Sequence, residues 1–222
     1  MNQLIRKLFE PDYALQRWAE VDLNKAAVES LGSEIDDLDN PLIDPKFQTE
    51  YIERLHEQLS IDFSYTPYME DRSTFWKGHY MMDEDPPRPI HLGIDFNVPA
   101  NTFIFLPTYG ETVFAIHDKD QKGGWGGRVD FFCRQENVYL IFGHLDPSSA
   151  LHFKGVQLLN GIMIGFVGDT PVNGGWFPHL HLQCVSKEEY ERHDDPMKID
   201  GYGAISDDLR ERYPNPLSIF NS

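Results

Sequence analysis

Two histidines close to the end of the chain have a spacing that could serve metal binding or acid–base chemistry. In the segment PHLHLQ, His179 and His181 are separated by one residue. Side chains on an extended strand alternate between its two faces, so both imidazoles point one way and the neighbouring leucines point the other. A strand whose apolar face lies in a core can present metal ligands or a catalytic base on its open face.

Two more residues of types that bind metals lie earlier in the chain, in the segment HLGIDF. His91 and Asp95 are four residues apart, an even spacing that puts both side chains on one face of an extended chain. Imidazole nitrogen and carboxylate oxygen both bind zinc, and with His181 they make three protein ligands and leave a fourth position for water. An open position indicates catalysis, because zinc lowers the pKa of bound water to about 7 and polarises a carbonyl.

Hydrolysis by such a site also needs a group that moves protons. His144 lies at the end of the run NVYLIFGHL, and His179 lies one pleat away from His181. Each is placed where a strand meets a turn, so these two histidines are the candidates for general acid–base catalysis.

The three segments together resemble a known family of enzymes. HLGID, then FGHL about fifty residues later, then GDTPVNGGWFPHLH, is similar to the LytM and lysostaphin-like zinc metallopeptidases, whose motifs are HxxxD, a histidine in a short HL-type segment, and HxH. The segment VPANTFIFLPTYGETV is similar to the strand, turn and strand that follow the family's first motif. The resemblance covers residues 88–185, roughly.

The resemblance implies a zinc-dependent peptidase or amide hydrolase with an antiparallel β-sheet core. His91, Asp95 and His181 would hold zinc, while His144 and His179 would flank the metal-bound water and the oxyanion. The substrate would be a peptide or a peptide-like molecule. All five positions are filled here, which argues against a degenerate copy of the family's site.

Parts of the sequence depart from the family's usual pattern. Gly174 and Gly175 stand with two aromatic residues where many members have a Ser/Thr-Gly approach, which predicts a different groove. The tail DLRERYPNPLSIF and the NGGWFPHLH segment resemble the peptidase-like modules found fused to aminotransferases and kinase-like domains. Three aromatic residues either line a substrate groove or simply cap packed turns: Trp125, Trp176 and Phe177.

Two other classes of function remain open from the residues. An iron oxygenase of the two-histidine, one-carboxylate type also sets such ligands on strands, although one residue normally separates its first two ligands and here three do. A module of the same fold that binds a peptide without cleaving it is the other alternative. Metal identity and peptide turnover distinguish the three.

Composition narrows the class of partner. The 222 residues carry 19 Lys and Arg against 36 Asp and Glu, a formal net charge of −17 that disfavours nucleic acid and anionic membranes as partners. The first residues show two basic side chains without a following apolar run, so we predict neither a secretory signal nor a membrane span and expect a cytoplasmic protein. Oligomeric state is not predicted.

The elements that position the site divide into two parts. Residues 1–88 read as a helical and irregular N-terminal extension, with helices predicted from Tyr13 to Leu31 and after the Asp44–Pro45 cap, and with an irregular strap over residues 65–89. The acidic stretch 34–44 reads as a solvated linker. Residues 89–222 read as a β-rich zinc-peptidase-like domain with a C-terminal tail.

Six short β-rich runs in the second part predict a mainly β fold with an antiparallel sheet. The glycines around Trp125 lie between two of these runs and predict a hairpin turn, because a phosphate-binding loop would be followed by a helix. Cys133 and Cys184 lie far apart and read as small core residues. The six runs are TFIFLP, ETVFAIHD, GRVDFFCR, NVYLIFGHL, GIMIGFVGD and HLHLQCV.

Overall fold

A computed structural model describes residues 3–32, 39–153 and 156–220. The helices are α1 Gln3–Leu8, α2 Pro11–Ala14, α3 Leu23–Leu31, α4 Pro45–Leu59, α5 Pro147–Ala150, α6 Lys187–Arg192, α7 Leu209–Arg212 and α8 Pro216–Phe220. The strands are β1 Trp18–Glu20, β2 Phe63–Tyr65, β3 Ile90–His91, β4 Ile94–Asn97, β5 Phe103–Phe105, β6 Gly110–His117, β7 Gly127–Cys133, β8 Val138–Leu145, β9 Gln157–Leu158, β10 Met163–Phe166, β11 Leu180–Ser186 and β12 Tyr202–Gly203.

An eight-stranded sheet in the order β1-β2-β4-β11-β8-β7-β6-β9 organises the described residues. The predicted mainly β fold is confirmed, and each of the six predicted runs contains a strand. The sheet is mixed and not wholly antiparallel as predicted, because β1 pairs with β2 in parallel. The glycine segment between β6 and β7 is a hairpin connection, as expected.

The central strands β8 and β11 separate an apolar core from the face that carries the predicted ligands. Leu140 and Phe142 of β8 and Leu180 and Leu182 of β11 belong to one buried cluster. His181 alternates with these leucines and therefore faces the other way. The alternation expected for HLHLQ is thus present in the sheet.

The predicted helix from Tyr13 to Leu31 is wrong in its first half. Residues 18–20 form β1, which pairs with β2, and a separate helix begins at Leu23 because the Asp22 side chain accepts a hydrogen bond from the Lys25 N–H. Sheet pairing has overridden a loose apolar periodicity. The end of this helix at Gly32 and the capped helix after Asp44 match the prediction.

The N-terminal region contributes directly to the core of the sheet. The buried side chains of α1 belong to the same cluster as the central strands, and β1 and β2 extend the sheet at one edge. The boundary at residue 88 stays a prediction. The strap, residues 65–89, is largely irregular as expected, with its segment 75–76 buried against the aromatic residues of the later chain.

Other predictions concern single features. Cys133 and Cys184 are free and buried, as expected for core residues. Residues 34–38 of the acidic stretch lie outside the described residues, and Leu42 within its remainder is fully buried, unlike a solvated linker. No helix in the described ranges is long and apolar enough to cross a membrane.

Candidate metal centre

The neighbouring strands β4 and β11, together with the short strand β3, bring the predicted ligands together at the open face of the sheet. β11 lies between β4 and β8, and its register places His181 opposite Asp95 on one side and Gly143 on the other. His91 reaches the same point from β3, which joins β4 through a short turn. Gly93 in this turn has no room for a side chain, because a Cβ there would lie 2.8 Å from the His181 ring.

The three ligand atoms converge within hydrogen-bonding distance of one another. His91 Nε2 lies 2.9 Å from His181 Nδ1 and 3.1 Å from Asp95 Oδ1. His181 Nδ1 lies 3.0 Å from the same carboxylate oxygen. Ligand atoms of a tetrahedral zinc ion lie about 3.3 Å apart, so the observed spacing requires only small adjustments to accept the ion.

The hydrogen bonds around His181 favour the tautomer that a metal requires. Its Nε2 lies 3.0 Å from Gln183 Oε1, and the Gln183 amide nitrogen donates to the Asp200 carbonyl at 3.1 Å. The amide orientation is therefore fixed with its oxygen toward the imidazole, which donates its Nε2 hydrogen. This leaves a lone pair on Nδ1, directed at the other two ligand atoms.

Unshared lone pairs that face one another repel unless a cation or a proton lies between them. Here two imidazole nitrogens and one carboxylate oxygen share the same small space, and all three residues are buried. This donor set suits zinc, so the residues present fit the metal that the motifs imply.

The two predicted proton-transfer histidines lie beside the ligands. His144 Nδ1 is 2.8 Å from the Asn173 carbonyl oxygen, and His179 Nδ1 is 2.7 Å from the Phe177 carbonyl oxygen. Both Nδ1–H groups donate to backbone, so each Nε2 carries a lone pair. His179 Nε2 lies 3.5 Å from Asp95 Oδ1, and the His144 and His179 rings are 4.5 Å apart.

His144 has a left-handed backbone conformation with φ of 61°. It is held there by its own N–H, which donates to the Trp125 carbonyl, and by its carbonyl, which accepts from the Gly168 N–H. A non-glycine residue in this region carries strain of about 1–3 kcal/mol, and such positions are concentrated at functional sites. The conformation places the ring in the cavity that the ligands line.

Burial keeps the imidazoles of His91, His144 and His179 neutral. Burial, assisted by the Arg72 charge, lowers the pKa of His91 to about 3. Burial likewise lowers the pKa of His144 and that of His179. Burial opposes ionisation of Asp95, but the charge of the Arg72 guanidinium beside its Oδ2 helps to hold the pKa of this carboxyl well below the usual range. Neutral imidazoles and an ionised carboxylate are the forms that bind metals.

A buried arginine next to the ligands was not anticipated from the sequence. Arg72 Nη2 lies 2.8 Å from Asp95 Oδ2, and its Nε donates to Glu70 Oε2 at 2.6 Å. Its Nη1 donates to the Tyr202 hydroxyl at 2.7 Å. The guanidinium therefore occupies the carboxylate oxygen that faces away from the other ligands, and leaves Oδ1 for the metal.

Side chains from six segments enclose a cavity of about 180 Å³ above the ligands. The cavity is lined by all three predicted groove residues, Trp125, Trp176 and Phe177, and all three are also buried. They therefore both line the cavity and pack against their neighbours. Trp125 stacks on His144 with ring centroids 6.1 Å apart. The strap contributes Trp76 and Tyr80 to the walls.

The residues missed by sequence reasoning come from outside the motif region or lack a spacing signal. Arg72 precedes the first motif by 19 positions and Tyr202 follows the last one by 21. Gln183 follows His181 by two residues and so lies on the same face of β11, where its amide oxygen meets the His181 ring. A buried charge is not visible in a sequence, and the period-two extension of HLH to Gln183 was the one available signal.

Comparisons with known proteins give structural similarities and no sequence match. No protein-family model matches the chain, and no curated protein sequence does. The catalytic domain of the antimicrobial peptidase lysostaphin from Staphylococcus simulans is similar at 19% identity over 60% of this chain and 81% of that one, with a TM-score of 0.40.

Two further solved structures show likenesses of the same order. The catalytic domain of the prophage-encoded M23 protein EnpA from Enterococcus faecalis is 24% identical over 44% of this chain and 68% of that one, with a TM-score of 0.36. A zinc-containing peptidase from Vibrio cholerae is 24% identical over 50% of this chain and 31% of that one, with a TM-score of 0.37.

Proposed function

We propose that this protein is a zinc-dependent hydrolase of peptide or peptide-like amide bonds. The observation that carries the proposal is the convergence of His91 Nε2, Asp95 Oδ1 and His181 Nδ1 within 3.1 Å of one another, beside two further neutral imidazoles. Three ligands are the number used by catalytic zinc sites, whereas structural zinc sites have four protein ligands. The motif resemblance to LytM and lysostaphin-like peptidases supports the same reaction.

Zinc bound by these three residues would supply a Lewis acid and a water of lowered pKa. The chain's own contribution is to hold and move protons at defined atoms. His144 and His179 each keep an Nε2 lone pair, because both Nδ1–H groups are engaged by backbone carbonyls. One Nε2 accepts a proton from the attacking water, and a protonated imidazole donates to the departing amine.

The low pKa values of the two histidines are consistent with this division of labour. Burial keeps both rings neutral in the resting protein, so each is ready to accept a proton. An imidazolium formed during the reaction is unstable in so buried a place and returns its proton readily to a leaving amine. The same burial excludes bulk water from the ligands.

Substitution of His144 or His179 by alanine tests the proton-transfer roles. Each variant is expected to keep its zinc, because neither ring is among the three converging ligands, and to lose about 100-fold or more in turnover. Zinc content and hydrolysis of a fluorogenic peptide library are measured on the same preparations. The matched control is His152→Ala, at an exposed histidine outside the cavity.

The possible results separate the roles from the reaction itself. Unchanged turnover in both variants would show that the two histidines are misassigned. Zinc without turnover in the native protein, together with tight binding of peptides, would instead favour a peptide-binding module. Iron in place of zinc would favour an oxygenase.

A further inference from the structure

Tyr202 lies next to a proposed metal ligand, although it is far from the motifs in sequence. It belongs to β12, which pairs with β3 so that Tyr202 is opposite His91. The two rings have centroids 5.2 Å apart. Tyr202 is 9% exposed and is part of the cavity wall above the ligands.

Two neighbouring N–H groups donate to the hydroxyl oxygen of Tyr202. Arg72 Nη1 donates at 2.7 Å and Trp76 Nε1 donates at 2.9 Å. A phenol oxygen has two acceptor positions and one hydrogen to donate, so both acceptor positions are taken and the hydrogen must point elsewhere. No acceptor for this hydrogen is found among the described residues.

The hydroxyl hydrogen of Tyr202 is also retained at any ordinary pH. Burial raises the pKa of Tyr202, and the positive charge of Arg72 only partly offsets that effect. The N–H donations polarise the O–H bond and make its hydrogen a stronger donor, since linked hydrogen bonds reinforce one another. The result is a fixed, unshared donor in the wall of a buried site.

We propose that the Tyr202 hydroxyl donates a hydrogen bond to the oxyanion that develops on the substrate carbonyl. This inference rests on the proposed function, since it assigns a further catalytic residue to the same reaction. A donor that is already oriented needs no reorganisation as charge develops, which is how oxyanion holes stabilise transition states. Arg72 and Trp76 act as positioning residues, because they act on the substrate only through the phenol.

A purely structural role for Tyr202 would not require its hydroxyl group. Phenylalanine would fill the same space between His91 and Trp76, and Arg72 already has two carboxylate partners in Glu70 and Asp95. Two donors directed at one phenol oxygen are useful when the third bond of that oxygen is needed for a ligand.

The test is anion binding by the zinc-loaded full chain, with inorganic phosphate as the tetrahedral probe. Isothermal titration is expected to show phosphate binding about tenfold or more weaker in Tyr202→Phe, the size expected for a lost hydrogen bond to an anion. Peptide turnover should fall through kcat with little change in KM. The control is Tyr139→Phe, at a buried tyrosine that donates to Glu191 away from the cavity.

A second substitution protects the test against misfolding. If Tyr202→Phe loses zinc or unfolds, 3,5-difluorotyrosine at position 202 keeps the oxygen that Arg72 and Trp76 need and makes its hydrogen a stronger donor. Phosphate should then bind more tightly than to the native protein at neutral pH.

The outcomes for Tyr202 and for the hydrolase proposal are separate. Native phosphate affinity and kcat in a zinc-loaded Tyr202→Phe protein would overturn the inference and leave the hydrolase proposal intact. Native phosphate affinity in the zinc-loaded difluorotyrosine protein would also overturn it. Absence of zinc, turnover and phosphate binding in the native protein would remove both.

Discussion

The carboxylate of Asp95 is shared between the proposed metal and a buried guanidinium. Oδ1 faces the two imidazoles, while Oδ2 lies 2.8 Å from Arg72 Nη2. Groups that hold a metal ligand in place from behind typically change metal affinity by 10–100-fold, approximately, when they are removed. Arg72 should therefore matter for zinc binding although it does not touch the ion.

Arg72→Gln is expected to weaken zinc binding by about 10–100-fold, because Asp95 loses its orienting partner. Competition with a chromophoric chelator measures the affinity. The Arg72→Gln change also leaves Glu70 buried without its cation, at a cost of about 3–5 kcal/mol. The double variant with Glu70→Gln removes that carboxylate charge and should recover stability but not affinity. Native zinc affinity in the stable double variant would contradict this role for Arg72.

Single residues of the candidate site could be predicted where they belong to a sequence motif, and residues outside the motifs were missed. The structure brings His91, Asp95 and His181 together, because HxxxD and HxH are short patterns that fix which face of a strand a side chain occupies. Arg72 and Tyr202 are 130 residues apart and meet only through the fold. Their roles, like those of the motif residues, stay proposals.

Among the elements, the strap connects the N-terminal region to the cavity. Its Trp76 packs edge-on against Trp176 with centroids 5.1 Å apart, and His79 lies between Tyr80 and Trp176. The Nδ1 atom of His79 is buried without a hydrogen-bond partner among the described residues. The strap therefore holds an imidazole in surroundings that disfavour its charged form.

Burial lowers the pKa of His79 to about 4. The ordinary value is about 6.5, so the unfolded chain binds the proton more readily than the folded one between these two pH values. Stability contributed by the neutral ring is thus complete above about pH 6.5 and is lost as the pH falls toward 4. His79→Gln should make the unfolding midpoint in urea less sensitive to pH over this range.

The measurement uses chelator-treated protein, so that loss of metal in acid does not contribute. His152→Ala serves as the control, because it removes an exposed imidazole that lies outside the strap. An identical slope in His79→Gln and the native protein would show that His79 does not titrate in this way.

Helices and strands were predicted correctly where the local sequence signal was strong. The prediction failed where pairing with a distant strand determined the structure. The cap of Asp44 is a local signal, and its carboxylate accepts from the Lys46 and Phe47 N–H groups at the start of α4. The segment 18–20 carried a loose helical pattern, yet it pairs with β2 some 45 residues later. A partner at that distance leaves no trace in the periodicity of the segment itself.

Over the whole molecule, strand pairings join segments that are far apart in the chain. β1 and β2 of the N-terminal region extend the eight-stranded sheet, and the C-terminal β12 pairs with β3, which carries His91, in a separate two-stranded sheet. The mainly β architecture could be predicted because six strands are recognisable as β-rich runs separated by turn residues. The two-part division, the likeness to modules fused to aminotransferase and kinase-like domains, and a cytoplasmic location stay predictions.

The net charge of −17 determines the long-range electrostatic field around the site. An excess of carboxylates attracts cations over long distances, which favours metal loading and disfavours polyanions such as nucleic acids. The bound metal would also stabilise the fold, because a ligand that binds the folded state alone shifts the unfolding equilibrium.

The central claim is that three residues hold one zinc ion, and elemental analysis tests it most directly. The protein is purified without chelator or metal-affinity resin, with His181→Ala beside it. About one zinc per chain in the native protein and little in a folded variant are expected, because His181 supplies one of three ligands from the open face of its strand. Equal zinc in both proteins, or no zinc in the native one, would contradict the account.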